Sequence, residues 1–389
     1  MHVVVIGGGV IGSSIAYHLA SMPGLDTKIT VVERDPTYAR ASSSLSASSI
    51  RQQFSTPVCI AMSQFGAAFL KQAADTLAVD GDRPALGLRE PGYLFLASTS
   101  GQATLRENNA VQLAHGADTV MLTPAQIAGR FPWMSTEDLA AGSLGLSGEG
   151  WFDGPALLAA FRRKARSLGV AYVAQDCTGL VRRSGRIAAV RLADGGELPC
   201  DVAVNAGGPW AARIAGFAGL DLPVRARKRM IYVVACRRTL PACPLVIDPG
   251  GVFFRPEGTG FICGRSPSGH EPDPDEPPLV VEEAMFHDRV WPALAARVPA
   301  FKELRLTASW AGYYEYNTFD RNAVIGAHPD CPNLIHAAGF SGHGMQHSPA
   351  TGRGVAELIA HGRFRSLDLS PLGWDRITSG HRLVERNIV

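Results

Sequence analysis

No charge of either sign dominates this chain: 37 basic residues stand against 35 acidic ones, a formal net charge of +2 at pH 7. Such a balance excludes the electrostatic footprint of a nucleic-acid binder. Cysteine is sparse, with seven in 389 residues. The number is odd and no C-x-x-C pair occurs, which argues against a disulfide framework and against a structural zinc site, so no metal is expected. The cysteines read as buried, reduced thiols of a cytoplasmic protein. A run of about 18 apolar residues is also missing, so no transmembrane segment is expected. Peripheral attachment to a membrane stays compatible, because a small amphipathic surface leaves little trace in sequence. The apolar stretch from Val3 to Leu19 has no basic leader and is interrupted by glycines and serines. It reads as a strand and helix of the mature fold rather than a signal peptide.

What is present is the composition of a globular chain, 46% hydrophobic and 19% charged, which excludes disorder as the main state. The length suggests about two domains. With 42 glycines and 26 prolines the chain has many turns, yet it carries no low-complexity tract and no internal repeat.

The first 35 residues hold the clearest pattern. Val3-Val4-Val5-Ile6 is a continuous β-branched run, as in a parallel strand buried on both faces. Gly7, Gly9 and Gly12 follow in the spacing G-x-G-x-x-G, and Gly12, Ile15, Ala16 and Leu19 recur at helical spacing. A second strand, Lys28 to Val32, ends in Glu33. Gly7 permits the tight turn, Gly9 a close approach to a pyrophosphate, and Gly12 close helix–strand packing. The pyrophosphate would lie at the helix N-terminus, and Glu33 would accept hydrogen bonds from a ribose diol. The pattern predicts dinucleotide binding without separating FAD from NAD.

Two distant segments add to it. Val202 to Asn205 reads as a strand running into Ala206-Gly207-Gly208-Pro209-Trp210. Asn333 to Ala338 reads as another, followed by Gly339-Phe340-Ser341-Gly342-His343-Gly344-Met345 and a helix with Pro349 near its start. Such a helix N-terminus can stabilise negative charge, for example on the pyrimidine edge of a reduced flavin.

Together these segments, with Ala356-Glu357-Leu358, resemble the D-amino-acid oxidase / sarcosine oxidase family of FAD-dependent oxidoreductases, including its glycine oxidase and amino-acid dehydrogenase branches. The resemblance spans essentially the whole chain. It implies an α/β fold: a three-layer, Rossmann-like FAD-binding domain with an inserted α+β substrate domain built on an antiparallel sheet. The expected division is 1–85, 145–220 and 315–389 for the FAD domain, with 86–144 and 221–314 for the substrate domain. Tyr93–Leu96, Met230–Val234 and Gly251–Phe254 are rich in aromatic and β-branched residues, as strands of that sheet would be. Glu271 to Pro278, acidic and proline-rich, reads as an exposed loop.

The resemblance also implies chemistry: a hydride passes from the substrate carbon to flavin N5, and an amine substrate yields an imine that water hydrolyses. Non-covalent FAD is the implied cofactor. Its implied contacts are Gly7, Gly9, Val10, Ile11, Gly12, Glu33, Arg34, Ser42, Ser43, Ser44, Ala47, Ser48, Thr178, Asn205, Ala206, Gly207, Trp210, Gly312, Gly339, Ser341, Gly342, His343, Gly344 and Met345. Arg51 falls, within one residue, where sarcosine oxidase-like members bind substrate carboxylate, a task suited to the planar guanidinium fork. Tyr232, Arg255, Tyr314 and His343 complete the candidate catalytic set. The implied partners are a small amine or amino acid and an electron acceptor, either oxygen, a quinone or another species.

Departures from the family pattern narrow the expectation. No cysteine occurs between Cys263 and Cys331, so the covalent flavin link of some members, near the position of Tyr313, is not expected. Gln346 stands where sarcosine oxidase-like enzymes carry a lysine, and their oxygen-activating lysine has no counterpart in Gly260–Arg265. Tyr314 lies where glycine and D-amino-acid oxidases carry a carboxylate-binding arginine. These differences lean away from sarcosine itself and towards a dehydrogenase. Oxidation of a 2-hydroxy acid or polyol, a flavin-bound assembly factor without turnover, and an NAD-dependent dehydrogenase are the alternatives.

Overall fold

The computed structural model describes residues 1–267 and 271–387. Val3, Val4 and Val5 are fully buried, because strand His2–Ile6 lies in the middle of a six-stranded sheet. The order across that sheet is Val324–His328, Cys331–Ala338, Val202–Asn205, His2–Ile6, Lys28–Glu33 and Ala171–Ala174. All neighbours are parallel except the first pair, which is antiparallel. The pleat divides the β-branched run between two cores. Val3 and Val5 pack under helices Val10–Ala20, Pro57–Thr76, Gly154–Ser167 and Gly344–His361, whereas Val4 and Ile6 meet Leu180, Ile187 and Val190 of a three-stranded antiparallel sheet. The three layers expected from the sequence are therefore present.

Helix Gly344–His361 lies against helix Val10–Ala20, and the Ser14 hydroxyl donates to the Ser348 carbonyl across the contact, 2.7 Å away. Pro349, expected near the start of the carboxy-terminal helix, is inside it. The helix begins five residues earlier than the proline, so Pro349 leaves the Met345 carbonyl without its i+4 amide donor. The Ser348 hydroxyl takes that place, donating to the Met345 carbonyl at 2.9 Å.

The second large sheet has eight strands: Arg305–Asn317, Val224–Ala235, Gly260–Arg265, Val252–Glu257, Leu245–Ile247, Tyr93–Ala97, Ala141–Gly145 and Thr119–Leu122. Its pairings are antiparallel apart from Leu245–Ile247 beside Tyr93–Ala97. Period-two alternation again sorts the side chains. Tyr232, Val234, Phe254 and Cys263 point into a core with Phe286, Val290, Leu294 and Phe301, while Tyr93, Phe95, Leu245 and Ile247 form a cluster on the opposite face with Trp151.

The segment Glu271–Pro278 is irregular, as expected, and Pro272, Pro274 and Pro278 are exposed. It is more than a solvated loop, however. Glu271, Asp273 and Asp275 each pair with an arginine of the large sheet.

Candidate active site

A long cleft begins where strand His2–Ile6 turns into the first helix and ends on the large sheet, lined from Ile6 and Gly7 to Tyr93 and Phe253. At its first end, Gly7 has φ +100°, a conformation that disfavours a side chain. A Cβ on Gly12 would fall inside contact distance of the Gly7 carbonyl, so the helix can approach the turn only at glycine. Helix Val10–Ala20 starts at Gly9 without a side-chain cap, and helix Gly344–His361 starts at His343 likewise. Both N-termini open onto the one cleft, where their dipoles and those amides not already taken by side chains favour an anion.

Other groups shape the walls. Glu33 accepts from the amides of Gly8 at 2.8 Å and Asp35 at 2.9 Å, which fixes its carboxylate at the cleft. The Arg34 guanidinium lies 3.7 Å from the centre of the Trp210 ring. The serine-rich loop is stitched to both large sheets' surroundings. Ser43 Oγ accepts from the Val10 amide at 3.0 Å, Ser42 Oγ donates to the Tyr313 carbonyl at 2.6 Å, and Trp310 donates to the Leu45 carbonyl at 3.0 Å.

At the inner end Arg51, only 2% exposed, faces the cleft. Its guanidinium donates to the carbonyls of Gln53 and Asn387, lies 3.4 Å from His343 Nε2 and packs 4.0 Å from the centre of the Phe54 ring. Burial, then Arg51 and His347, holds His343 well below the usual imidazole range, so it is neutral. Since arginine only donates, a hydrogen bond between the two makes Nε2 the acceptor and places the imidazole proton on Nδ1. Tyr314 donates to the Ser341 carbonyl, and burial raises its hydroxyl pKa. Glu315 is pushed up to about 7 by burial, against the opposing amides of Gly339 and Phe340. Glu149, which accepts from the Gln52 and Gln53 amides behind Arg51, is also raised to about 7 by burial.

Of the residues singled out by sequence, the cleft brings together Arg51, Tyr314, His343, Gly7, Gly9, Val10, Ile11, Glu33, Arg34, Ser42, Ser43, Ala47, Ser48, Ala206, Gly207, Trp210, Gly312, Gly342, Gly344 and Met345. Others lie outside its lining. Tyr232 falls on the helix-facing side of its strand and donates to the Glu282 carbonyl at 2.9 Å. Arg255 is turned to the Ala47 carbonyl, 2.8 Å away, and to Glu257, bracing the serine loop from behind. Thr178 donates to the Leu192 carbonyl within the small sheet at 3.2 Å. Asn205 is buried beneath its turn, bonding the Ala211 carbonyl and the Gly207 amide. Gly12 backs the Gly7 turn, and the Ser44 amide donates to the Ala41 carbonyl. Gly339 and Ser341 hold the terminal turn against Glu315 through their amides.

Arg229 and Arg265, which carry no family motif, also line the cleft. The signal that points to Arg229 is a matching alternation. Arginines occupy every second position at 225, 227 and 229, and acids every second position at 271, 273 and 275.

Comparison with known proteins now decides the lineage. The family model described as DAO, FAD dependent oxidoreductase, matches residues 2–358. The chain belongs to this family. An FAD-dependent oxidoreductase domain-containing protein 1 from Xenopus laevis is 44% identical over 422 residues, covering all of this chain and 84% of that protein. A glycine oxidase from Geobacillus kaustophilus is 26% identical, with 96% of each chain covered. Among solved structures, L-proline dehydrogenase from P. horikoshii superimposes with a TM-score of 0.86 at 26% identity, covering 98% of both chains.

The residues present fit the FAD that this DAO-family membership brings. Two helix starts without an N-cap side chain share one cleft, the Glu33 carboxylate is fixed in its wall, and Gly7 and Gly12 leave no room for a Cβ beside the backbone. Among the described residues no helix is long and apolar enough to cross a membrane.

Proposed function

We propose that this DAO-family oxidoreductase oxidises the C–N bond of an amino acid or secondary amine. FAD, held non-covalently, supplies the hydride acceptor at N5, and the imine product is hydrolysed by water. The observation that carries this reading is the inner end of the cleft, where Arg51, neutral His343 and Tyr314 meet the starting turn of the carboxy-terminal helix.

Each residue has a task there. An amine gives up hydride only with its lone pair free, so the site must favour the neutral amine over the ammonium. Arg51 places a fixed positive charge at the site, and the neutral His343 offers no compensating negative one. The charge of Arg51 lowers the proton affinity of a bound amine, and the neutral imidazole adds no charge of its own. Tyr93 and Phe253 add apolar walls that exclude water from the reacting carbon. The cleft-lining residues predicted from sequence are assigned as the cofactor contacts. Gly12, Asn205, Gly339 and Ser341 act as positioning residues for the turns that carry those contacts. We also assign the six-stranded sheet to an FAD-binding domain and the eight-stranded sheet to a substrate domain, each assembled from separated stretches of chain.

The absence of a lysine across Gly260–Arg265 favours a dehydrogenase that passes electrons to a quinone, dye or protein rather than rapidly to oxygen. The test is product analysis with an artificial dye as acceptor. Amino acids or secondary amines should give a carbonyl compound plus ammonia or a primary amine in equal amounts. Turnover of 2-hydroxy acids alone would replace this reading.

A further inference from the structure

We propose that Arg229 and Arg265 read the charge of the substrate, which is an amine carrying two carboxylates, and that Asp273 and Glu271 hold the places of those carboxylates in the free protein. The proposal rests on the amine-oxidation reading and adds the substrate class.

Strand Val224–Ala235 carries the first of the two arginines. Arg229 lies opposite Gly312 and shares the cleft-facing side of the sheet with Ile231 and Tyr314. Its guanidinium stands 4.7 Å from the centre of the Tyr314 ring. Both of its terminal nitrogens reach one carboxylate: Nη1 to Asp273 Oδ1 at 2.8 Å and Nη2 to Oδ2 at 2.9 Å. This is the two-point geometry by which arginine recognises a carboxylate of any origin. Arg265 is also paired with a carboxylate, its Nη2 lying 2.8 Å from Glu271. Two guanidinium groups lining an amine site would be costly to desolvate without such partners.

The partners come from a segment built to present them. In Glu271-Pro272-Asp273-Pro274, prolines hold the chain extended, and acids two residues apart fall on the same side. The downstream part is fastened: the Glu276 amide donates to the Ala226 carbonyl at 2.8 Å, the Tyr313 hydroxyl to the Pro277 carbonyl at 3.0 Å, and Arg227 pairs with Asp275 at 3.1 Å. The side chains of Asp273 and Glu271 are 25% and 32% exposed, so water and a competing carboxylate can reach both. Arg51, the residue that sequence comparison puts forward for this task, has its guanidinium engaged by main-chain carbonyls instead.

The test uses the flavin-loaded protein, titrated with glutarate, butyrate and butylamine while the visible flavin spectrum is followed. Glutarate should bind about ten-fold more tightly than butyrate, and butylamine more weakly than either. Asp273→Asn should tighten glutarate about three-fold or more, by removing the internal competitor. Arg229→Gln should weaken it about ten-fold or more with flavin content unchanged, and Arg229→Lys should recover part of the loss. Equal binding of glutarate and butyrate, or unchanged glutarate binding in Arg229→Gln, overturns the proposal. If Arg229→Gln does not fold, Asp273→Asn decides alone, and an unchanged glutarate affinity overturns it. Anaerobic reduction separates this proposal from the reading beneath it. If no amine reduces the flavin while glutarate behaves as stated, amine oxidation falls and the charge reading stands. If amines reduce wild type and Arg229→Gln equally well, the charge reading falls and amine oxidation stands.

Discussion

The two ends of the cleft are built by different means. At the end where strand His2–Ile6 turns into helix Val10–Ala20, the cleft is walled by backbone, and a Cβ on Gly7 or Gly12 would strike main-chain atoms. Toward the large sheet the cleft is lined by charged side chains instead, and Arg229, Arg265 and Arg51 are each already engaged, two by carboxylates and one by carbonyls. Backbone recognition tolerates almost no change of residue type. Side-chain recognition can be rebuilt with other residues while the sheet beneath stays the same, so substrate range can diverge on a constant cofactor site.

Substitutions that damage one end and spare the other sharpen this contrast. The largest effect is expected for Gly12→Val, whose side chain meets the Gly7 carbonyl. The purified protein should be colourless, and a yellow product with full flavin content would show that the turn tolerates bulk. Next comes Arg297→Ala, under the eight-stranded sheet. Arg297 bonds Asp248 at 2.6 Å and Asp138 at 2.8 and 2.9 Å while itself 4% exposed. Removing it should lower unfolding free energy by about 3 kcal/mol, seen in urea titration, with flavin content retained.

A pH-dependent difference is expected for Glu149→Gln. Burial raises the folded pKa of Glu149 to about 7 from the ordinary 4.5, against hydrogen bonds from Gln53 and Gln52 and the charge of Arg51. A raised pKa means that the folded state holds the proton more tightly, so the group's contribution is greatest below its unfolded pKa and is lost as pH rises through about 7. Thermal unfolding from about pH 5 to about pH 8 should therefore show the variant gaining on wild type as pH rises, by on the order of 1–2 kcal/mol in all. A constant difference would mean that Glu149 is ionised throughout. Ser348→Ala should have the smallest effect, about 1 kcal/mol, because it leaves the Met345 carbonyl without its substitute donor inside the helix.

The same contrast governs how much could be read from the sequence. The six-stranded sheet was legible because Val3–Ile6 is buried on both faces and needs no partner to declare itself, and the glycine spacing of 7, 9 and 12 follows from the turn. His343 and Gly344 were legible for the same reason, as the start of a helix facing the cleft. The substrate end was much less so. Tyr232 and Ile231 are neighbours, and only the register of the strand sends Ile231 to the cleft and Tyr232 to the opposite core. The place of Arg51 in the loop was legible, but the carbonyl of Asn387 that engages it comes from 336 residues further along. Composition marks Glu271–Pro278 as loop; that Asp273 and Asp275 meet arginines on a strand more than 40 residues away is set by tertiary folding alone.

The account stands on the cleft's inner end being a place where an amine gives up hydride. The most direct measurement is the visible flavin absorption of the purified protein, kept free of oxygen, as amino acids and secondary amines are added one at a time. Dicarboxylic amines should bleach it, with decarboxylated analogues far less effective. A flavin that stays oxidised with every amine, yet is reduced by a chemical reductant, would contradict the account.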